Sequence, residues 1–312
     1  MSRKKLSGKA YKKRRRQIMR NRLFLIIIIV VMVLLAVNLF SLGNGDDSED
    51  RFTRLIGTSD YDRTEDEKNN NRNTDIDVEY SEATDVEGWK ANIEKAEKTN
   101  ENASVILENF EKIPEELLKM AGTNPQTIDF VAKYADISIK YKFNYPSKIY
   151  KDVDYPYYIQ WDQKWGYKEY GSGVIGSAGC APTSLAMMLS GLTGYNITPD
   201  EIADISINNG HVGDYGTGWD LYPFIAREYN LDIKELQIDK EALLAELDKG
   251  NPVIISVGPG TFTTISHVML IVGHDDNGNL KIYDPNNLKN SEQTWNFDDF
   301  KEEVKKMWAF SE

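Results

Sequence analysis

The order of the predicted elements in the C-terminal half of this 312-residue chain indicates an α+β fold. Helix signals come first, and three apolar runs typical of strands come after them. The last two runs are separated by the turn signal Asp276-Asn277-Gly278, which favours an antiparallel hairpin. Helices followed by antiparallel strands are the pattern of an α+β domain.

Each element has its own local signal. A helix is predicted from Cys180 to Gly191, and the capping box that opens with Thr198 and closes with Glu201 begins a second. A third is expected near residues 219–229, where Pro223 fits only the first turn. Asp239 caps a fourth that ends at Gly250. Strands are predicted at residues 252–257, 266–273 and 280–283.

The basic and acidic residues are distributed very unevenly. Residues 1–22 hold eleven of the 37 Lys and Arg and no acid, so the remainder has 26 basic against 49 acidic residues, a net charge of −23. Such an acidic remainder repels nucleic acid, and we expect no nucleic-acid partner. No phosphate-binding loop or metal-spaced Cys/His set occurs, so no cofactor or metal is predicted.

The apolar segment after the basic tail predicts a membrane anchor. Residues 23–40 are apolar except for Asn38, and with residues 41–42 they just span a hydrocarbon core of roughly 30 Å. The basic flank predicts a cytoplasmic N-terminus, which puts the chain from Asp46 onward outside the cell membrane. A buried core helix would show a polar face. A cleaved signal peptide is the other alternative, but its apolar region is usually shorter and ends at a small-residue site.

Composition predicts five regions along the chain. Residues 43–88 are highly charged and poor in large apolar residues, which predicts a disordered linker. Two proline-initiated helix signals, at Pro114 and Pro125, indicate a short helical segment that packs against the main domain. The predicted regions are a basic cytoplasmic tail (1–22), a transmembrane helix (23–42), an acidic linker (43–88), a helical segment (89–150) and the main domain (151–312).

The single cysteine is the strongest chemical signal. Cys180 has no partner for a disulfide within the chain, and an unpaired thiol in an exported protein suggests reactivity. It stands at the predicted start of a helix, where the helix dipole lowers the pKa of a thiol. A buried structural cysteine is the alternative.

A cysteine nucleophile needs a base and an acceptor that orients the base. Of three histidines, His267 lies near the start of an otherwise apolar strand, whereas His211 and His274 adjoin glycines, look loop-like and rank behind it. Asp284 ends the next strand, although a simple hairpin leaves it about four residues out of register with His267, so a bulge or wider loop must close the gap. A turn-forming Asp before Pro is the alternative for Asp284.

Several short motifs together resemble the bacteriocin-processing (double-glycine) peptidase-like family of the papain clan. The resemblance covers roughly residues 155–310. The motifs that carry it are Gln160-Trp161-Asp162, Gly179-Cys180-Ala181-Pro182-Thr183-Ser184, Gly216-Thr217-Gly218-Trp219, Ser266-His267-Val268 and Asp284-Pro285. The segment from Ile113 to Val131 resembles a stretch that often precedes such domains in exported proteins of Gram-positive bacteria.

This resemblance implies a papain-like cysteine peptidase fold and a role for each matching residue. Cys180 would be the nucleophile, His267 the base and Asp284 the orienting residue. Gln160 would donate to the oxyanion, with Gln163 as its competitor. In the exporter-linked members the glutamine lies six residues before the cysteine, and here that position is Val174.

The expected function is therefore a membrane-anchored, extracytoplasmic thiol protease that hydrolyses peptide or amide bonds through a thioester, with a peptide or protein as substrate. Acyl transfer to an amine on the same fold and a catalytically silent peptide-binding module are the alternatives. An aromatic cluster before the cysteine is expected to pack in the core, with a wall of the substrate groove as its alternative role; its members are Tyr155, Tyr157, Tyr158, Trp161 and Trp165.

Overall fold

The computed structural model describes residues 78–213 and 216–312. The predicted basic tail, membrane segment and most of the linker lie outside these residues. Within them, no helix is both long enough and apolar enough to cross a membrane.

The N-terminal part of the described chain is helical. Its four α-helices are α1 (Val86–Ala96), α2 (Asn102–Glu108), α3 (Glu115–Thr123) and α4 (Ile128–Ala135). Single 3₁₀ turns at Phe110–Lys112 and Pro125–Thr127 lead into α3 and α4. Asn124 caps the second turn by accepting a hydrogen bond from the Gln126 N–H, as its place before Pro125 predicts.

The linker prediction is wrong at its C-terminal end. Asp85 caps α1 by accepting from the Gly88 N–H, so residues 86–88 are helical. The side chain of Asn92 binds both the N–H and the C=O of Ser81, which fixes the segment before the helix. Composition misses this ordering because it depends on one buried amide rather than on apolar residues.

The C-terminal part contains the remaining helices. These are α5 (Ile175–Ala178), α6 (Cys180–Thr193), α7 (Pro199–Asn208), α8 (Leu221–Tyr229), α9 (Lys240–Leu247) and α10 (Leu288–Ser291). The predicted capping box opens α7, Asp239 caps α9, and Pro223 lies in the first turn of α8. Helix α6 begins at Cys180, as predicted.

A six-stranded antiparallel sheet forms the second layer, in the order β5-β10-β6-β7-β8-β9. Its strands are β5 (Asp232–Leu236), β6 (Val253–Val257), β7 (His267–His274), β8 (Leu280–Tyr283), β9 (Thr294–Trp295) and β10 (Val304–Ser311). Two small hairpins lie outside it, β1 (Glu169–Tyr170) with β2 (Gly173–Val174) and β3 (Val212–Gly213) with β4 (Gly216–Thr217). The three predicted strands form its centre, while β5, β9 and β10 were not predicted.

One hydrophobic core joins the helical segment to the rest of the domain. Phe130 on α4 is fully buried and stacks on Tyr167, with 4.4 Å between the ring centroids. The same ring closes against Gly176, where an added Cβ would lie 2.3 Å from it. Just before α4, the side-chain amide of Asn124 donates a hydrogen bond to the carbonyl of Asn286 at 2.9 Å. The helical segment therefore packs against the chain just before Cys180 and just after Asp284.

Phe130→Ala should lower the free energy of unfolding by about 3–5 kcal/mol, because it removes a fully buried ring and leaves a cavity. Urea denaturation of the fragment 78–312 measures this change. The control Ile137→Ala, on a side chain that is 43% exposed, should change it by less than about 0.5 kcal/mol. An equally small effect of Phe130→Ala would mean that the helical segment is not part of the folding core.

Candidate active site

Cys180 is the first residue of α6, and its thiol is free and half-buried. Only Gly179 separates the end of helix α5 from Cys180, so Gly179 lies against Ile175, and a Cβ on Gly179 would come within 2.5 Å of that residue. Only glycine permits this approach. The consequence is a thiol held at the positive end of a 14-residue helix.

His267 and Asp284 form a buried pair. The Nε2 of His267 lies 2.7 Å from Oδ1 of Asp284, and the two side chains are 7% and 1% exposed. His267 begins β7, opposite Val257 of β6, and Asp284 directly follows β8. The structure therefore contains the contact between His267 and Asp284 for which the predicted hairpin register left too large a gap.

A β-bulge brings the two residues together. Pairing of β7 with β8 starts at His274 and Leu280 and shifts register between Ile271 and Gly273. The hairpin is centred on Asn277, which brings Asp284 one residue closer to His267 than a hairpin centred between residues 277 and 278 would, and the bulge brings it one residue closer still. The remaining offset falls within the reach of diagonal neighbours on a sheet.

The carboxylate of Asp284 has a full set of hydrogen-bond donors. Besides the His267 ring, the Asn286 N–H donates to Oδ1 at 2.8 Å and the Asn290 amide donates to Oδ2 at 2.7 Å. The backbone of Asp284 is held as well, since its N–H donates to Ser291 and its carbonyl accepts from the Tyr157 hydroxyl. Sequence reasoning missed Asn290 and Ser291, which only the return of α10 brings close.

Both Cys180 and Asp284 act on the His267 ring. Burial by itself lowers the pKa of His267, but the charge and hydrogen bond of Asp284, together with those of Cys180, raise it to about 10. The proton of the Cys–His pair is therefore expected on the imidazole at neutral pH. A protonated imidazole next to a thiol stabilises the thiolate.

The other two histidines lie in different surroundings. His211 pairs with Asp220 at 2.7 Å, and His274 pairs with Asp248 at 2.9 Å. His274 is the last residue of β7 rather than part of a loop. Each has a carboxylate partner, but only His267 is also linked to the thiol.

Gln160 is buried and anchored next to the nucleophile. Its Nε2 donates to the carbonyl of Gly176 at 2.7 Å, four residues before Cys180, and its backbone N–H donates to Pro285. A glutamine twenty residues from the cysteine thus reaches the chain that immediately precedes α6. Gln163 is only half-buried, and Val174 belongs to the short strand β2.

The aromatic cluster packs mainly inside the protein. Trp161 and Trp165 are buried, as expected for core residues, and Tyr157 is almost buried. The indole N–H of Trp161 donates to the carbonyl of Asn286 at 3.1 Å. With Tyr157 bound to Asp284, the cluster supports the loop that carries this carboxylate.

Comparisons with known proteins place the chain in a family. Residues 152–311, just over half of the chain, match the model of the Peptidase_C39 like family. Among solved structures, the peptidase domain of Streptococcus ComA, a bi-functional ABC transporter involved in a quorum-sensing pathway, is similar at 19% identity and a TM-score of 0.36. That match covers 46% of this chain and 98% of that one. No curated protein matches the chain. The family match shows that the chain belongs to the Peptidase_C39 like family and is a cysteine-type peptidase with a papain-like α+β fold that acts on peptides.

Proposed function

We propose that Cys180, His267 and Asp284 are the catalytic triad of this peptidase. The observation that carries the proposal is the His267 ring, which is buried and interacts with both the Cys180 thiol and the Asp284 carboxylate. The ring can exchange a proton with sulfur through one nitrogen while the carboxylate fixes the other. This is the division of roles that nucleophile, base and orienting group require.

The reaction proceeds in two steps. The Cys180 thiolate attacks the scissile carbonyl, a carbon–sulfur bond forms, and the carbon–nitrogen bond breaks as protonated His267 gives its proton to the leaving amine. Water then attacks the thioester while neutral His267 takes its proton, and the acid leaves as the thiolate is regenerated. Asp284 is held by three hydrogen bonds, one of them to the His267 ring, so it orients the ring in both steps.

Gln160 is the oxyanion donor in this proposal. A side-chain amide has two N–H groups, and one of them is used on the carbonyl of Gly176. The other can act with the backbone N–H of Cys180 on the negative oxygen of the tetrahedral intermediate. The burial and anchoring of Gln160 favour it over Gln163, since a fixed donor costs little to reorganise.

The proposed location is the outer face of the cell membrane. It rests on the sequence, in which a basic tail at residues 1–22 and an apolar run at residues 23–40 precede a strongly acidic remainder. Residues 43–77 then serve as the tether between the membrane and the peptidase.

Cys180→Ser should abolish peptide hydrolysis and leave folding intact, because a serine hydroxyl lacks thiolate character. Hydrolysis by the fragment 78–312 is measured on a peptide library, with mass spectrometry of the products. His267→Ala should lose hydrolysis too, whereas the matched variants His211→Ala and His274→Ala should retain it. Turnover by Cys180→Ser would remove this thiol from the mechanism.

The same experiment separates the alternatives for the chemistry. Added amine that appears in the products would indicate acyl transfer, in which the thioester is intercepted before water reaches it. Absence of both products, together with failure of Cys180 to react with a mild electrophile at neutral pH, would indicate a silent peptide-binding module.

Asp284→Asn should lower the pKa of His267 below its value in the parent. Burial lowers this pKa, and the variant removes the carboxylate charge that raises it. In the parent, the raised pKa gives a stability contribution that is complete below about pH 6.5 and is lost as pH rises towards about 10. Histidine NMR titration and urea denaturation at pH 6 and pH 9 measure both effects. The control Asp220→Asn changes the partner of His211 and should leave His267 unshifted. An unchanged His267 titration in Asp284→Asn would reject the orienting role.

Protease added to intact cells should release the peptidase by cuts within residues 43–77, since that segment has too little apolar surface to fold. The released fragment should remain active, and it is detected by immunoblotting of the medium. Protection in intact cells with cutting only after lysis would reverse the orientation. Spontaneous appearance in the medium with an N-terminus near Gly43 would instead identify the apolar run as a signal peptide.

A further inference from the structure

The hydroxyl of Tyr222 is buried without a hydrogen-bond partner. Among the side chains in the described part of the chain, it is one of a few buried polar atoms in this condition. Three others, on Gln160, Thr183 and Asn286, belong to the segments that form the active site. The remaining two are on Tyr80 and His211. A buried, unpaired hydroxyl destabilises a protein, so its presence calls for a reason. Unpaired groups in the segments of the site are available to a ligand.

The position of Tyr222 is fixed by aromatic packing. Its ring lies in α8 and stacks on Trp308 of β10, with 4.3 Å between the centroids. Trp308 pairs with Ile254 of β6, which in turn pairs with Leu270 of β7. All three side chains belong to the same core as α6 and face the same layer. Tyr222 therefore covers the sheet next to the helix that begins with Cys180.

The hydroxyl of Tyr222 lies near the thiol without bonding to it. Cys180 and Tyr222 are close enough to interact electrostatically, yet the hydroxyl makes no hydrogen bond to sulfur. Burial raises the pKa of Tyr222 well above its ordinary value, and the charges of Cys180 and Tyr170 raise it further. The raised pKa keeps the group an O–H donor at neutral pH. No protein atom accepts from this hydroxyl, so a ligand atom that reaches it could serve as its acceptor.

Tyr170 shows what a satisfied hydroxyl in the same neighbourhood is like. It also interacts electrostatically with Cys180, but its hydroxyl is bound to Ser206 at 2.9 Å and to Thr217 at 2.7 Å. These bonds connect the β3–β4 hairpin to α7 and leave no free donor. Of Tyr170 and Tyr222, only Tyr222 has a hydroxyl that is free to donate to a substrate.

Ring contacts connect Tyr222 to an exposed indole at the surface. Trp219, part of the Gly216-Thr217-Gly218-Trp219 motif, is 47% exposed and lies 6.0 Å from Trp308, centroid to centroid. Ring contacts run from the exposed Trp219 through the buried Trp308 to the buried Tyr222. The exposed indole of Trp219 can contact a side chain of an extended peptide, whose backbone carbonyls need donors.

We propose that Tyr222 is a substrate-binding residue of the active site, whose hydroxyl donates a hydrogen bond to a backbone carbonyl of the bound peptide next to the scissile bond. The proposal deepens the proposed function, because it assigns a donor to the same site. It also explains why an unpaired hydroxyl is retained in the free enzyme.

Tyr222→Phe tests the proposal because it removes only the hydroxyl and keeps the stacked ring. For one peptide selected from a library by binding to Cys180→Ala, we expect the Tyr222→Phe exchange in that background to raise Kd about five- to tenfold, the effect of one hydrogen bond. In the active enzyme, kcat/KM should fall by about the same factor. The melting temperature should stay equal or rise, because an unpaired buried hydroxyl is removed.

Tyr167→Phe is the matched control. Its hydroxyl is equally buried but donates to the Phe130 carbonyl at 2.9 Å, so this variant should lose melting temperature and keep Kd and kcat/KM. Tyr222→Phe with Kd within twofold of its parent would overturn the proposal. So would a loss of affinity accompanied by a loss of stability like that of Tyr167→Phe, which would mean that the hydroxyl has a structural role.

The two proposals fail in different ways. Weaker peptide binding in Tyr222→Phe, with no hydrolysis by the parent enzyme, supports the binding role and rejects the triad as a hydrolytic centre. Hydrolysis that depends on Cys180 but not on the Tyr222 hydroxyl rejects the binding role alone. Failure of every library peptide to bind Cys180→Ala rejects both.

Discussion

The buried pair of His267 and Asp284 is the constraint on which the site depends. Two ionisable groups removed from water are tolerated only when each is fully hydrogen-bonded. Asp284 meets this condition through the His267 ring, a backbone N–H and the Asn290 amide. To supply these donors the chain makes a bulge in β7, a tight turn after β8 and the short helix α10. The pair thus determines the shape of this end of the sheet.

The helical segment before the peptidase domain supports this end of the molecule. Its residues Asn124 and Gln126 bind the loop of Asn286 and Leu288, so they reach the chain immediately after Asp284. Phe130 packs against Gly176, whose carbonyl anchors Gln160. The family match begins at residue 152, but the core begins earlier, in α1. A boundary drawn from the family alone would cut through one hydrophobic core.

The polar groups of the site differ in whether their hydrogen-bond partners are present in the free protein. The Asp284 carboxylate is saturated with donors, which fixes the imidazole before a substrate arrives. By contrast, Tyr222 and the carbonyl oxygen of Gln160 are buried and unpaired. Unpaired polar groups reduce stability in the free protein, and a ligand that pairs them gains binding free energy for the same reason. The contrast matches the proposed division between groups that orient the triad and groups that bind substrate.

The sequence by itself determined the elements whose signals are local. The start of α6 at Cys180, the capping box of α7, the Asp239 cap of α9 and the strands β6 to β8 are all encoded by nearby residues. It also determined which residue types could do the chemistry, because one cysteine and three histidines leave few choices. The edge strand β5 is not predicted from the sequence, since only Leu236 of its five residues is buried and its apolar pattern is weak.

Only the tertiary structure decided which of these groups meet. The contact of His267 with Asp284 depends on a register shift within β7, and a one-residue bulge leaves no signal in composition. The anchoring of Gln160 depends on its hydrogen bond to the carbonyl of Gly176, and the segment before α1 is held by two hydrogen bonds between Ser81 and the side chain of Asn92. Such bonds form after packing has brought the partners together, so no pattern within either segment announces them.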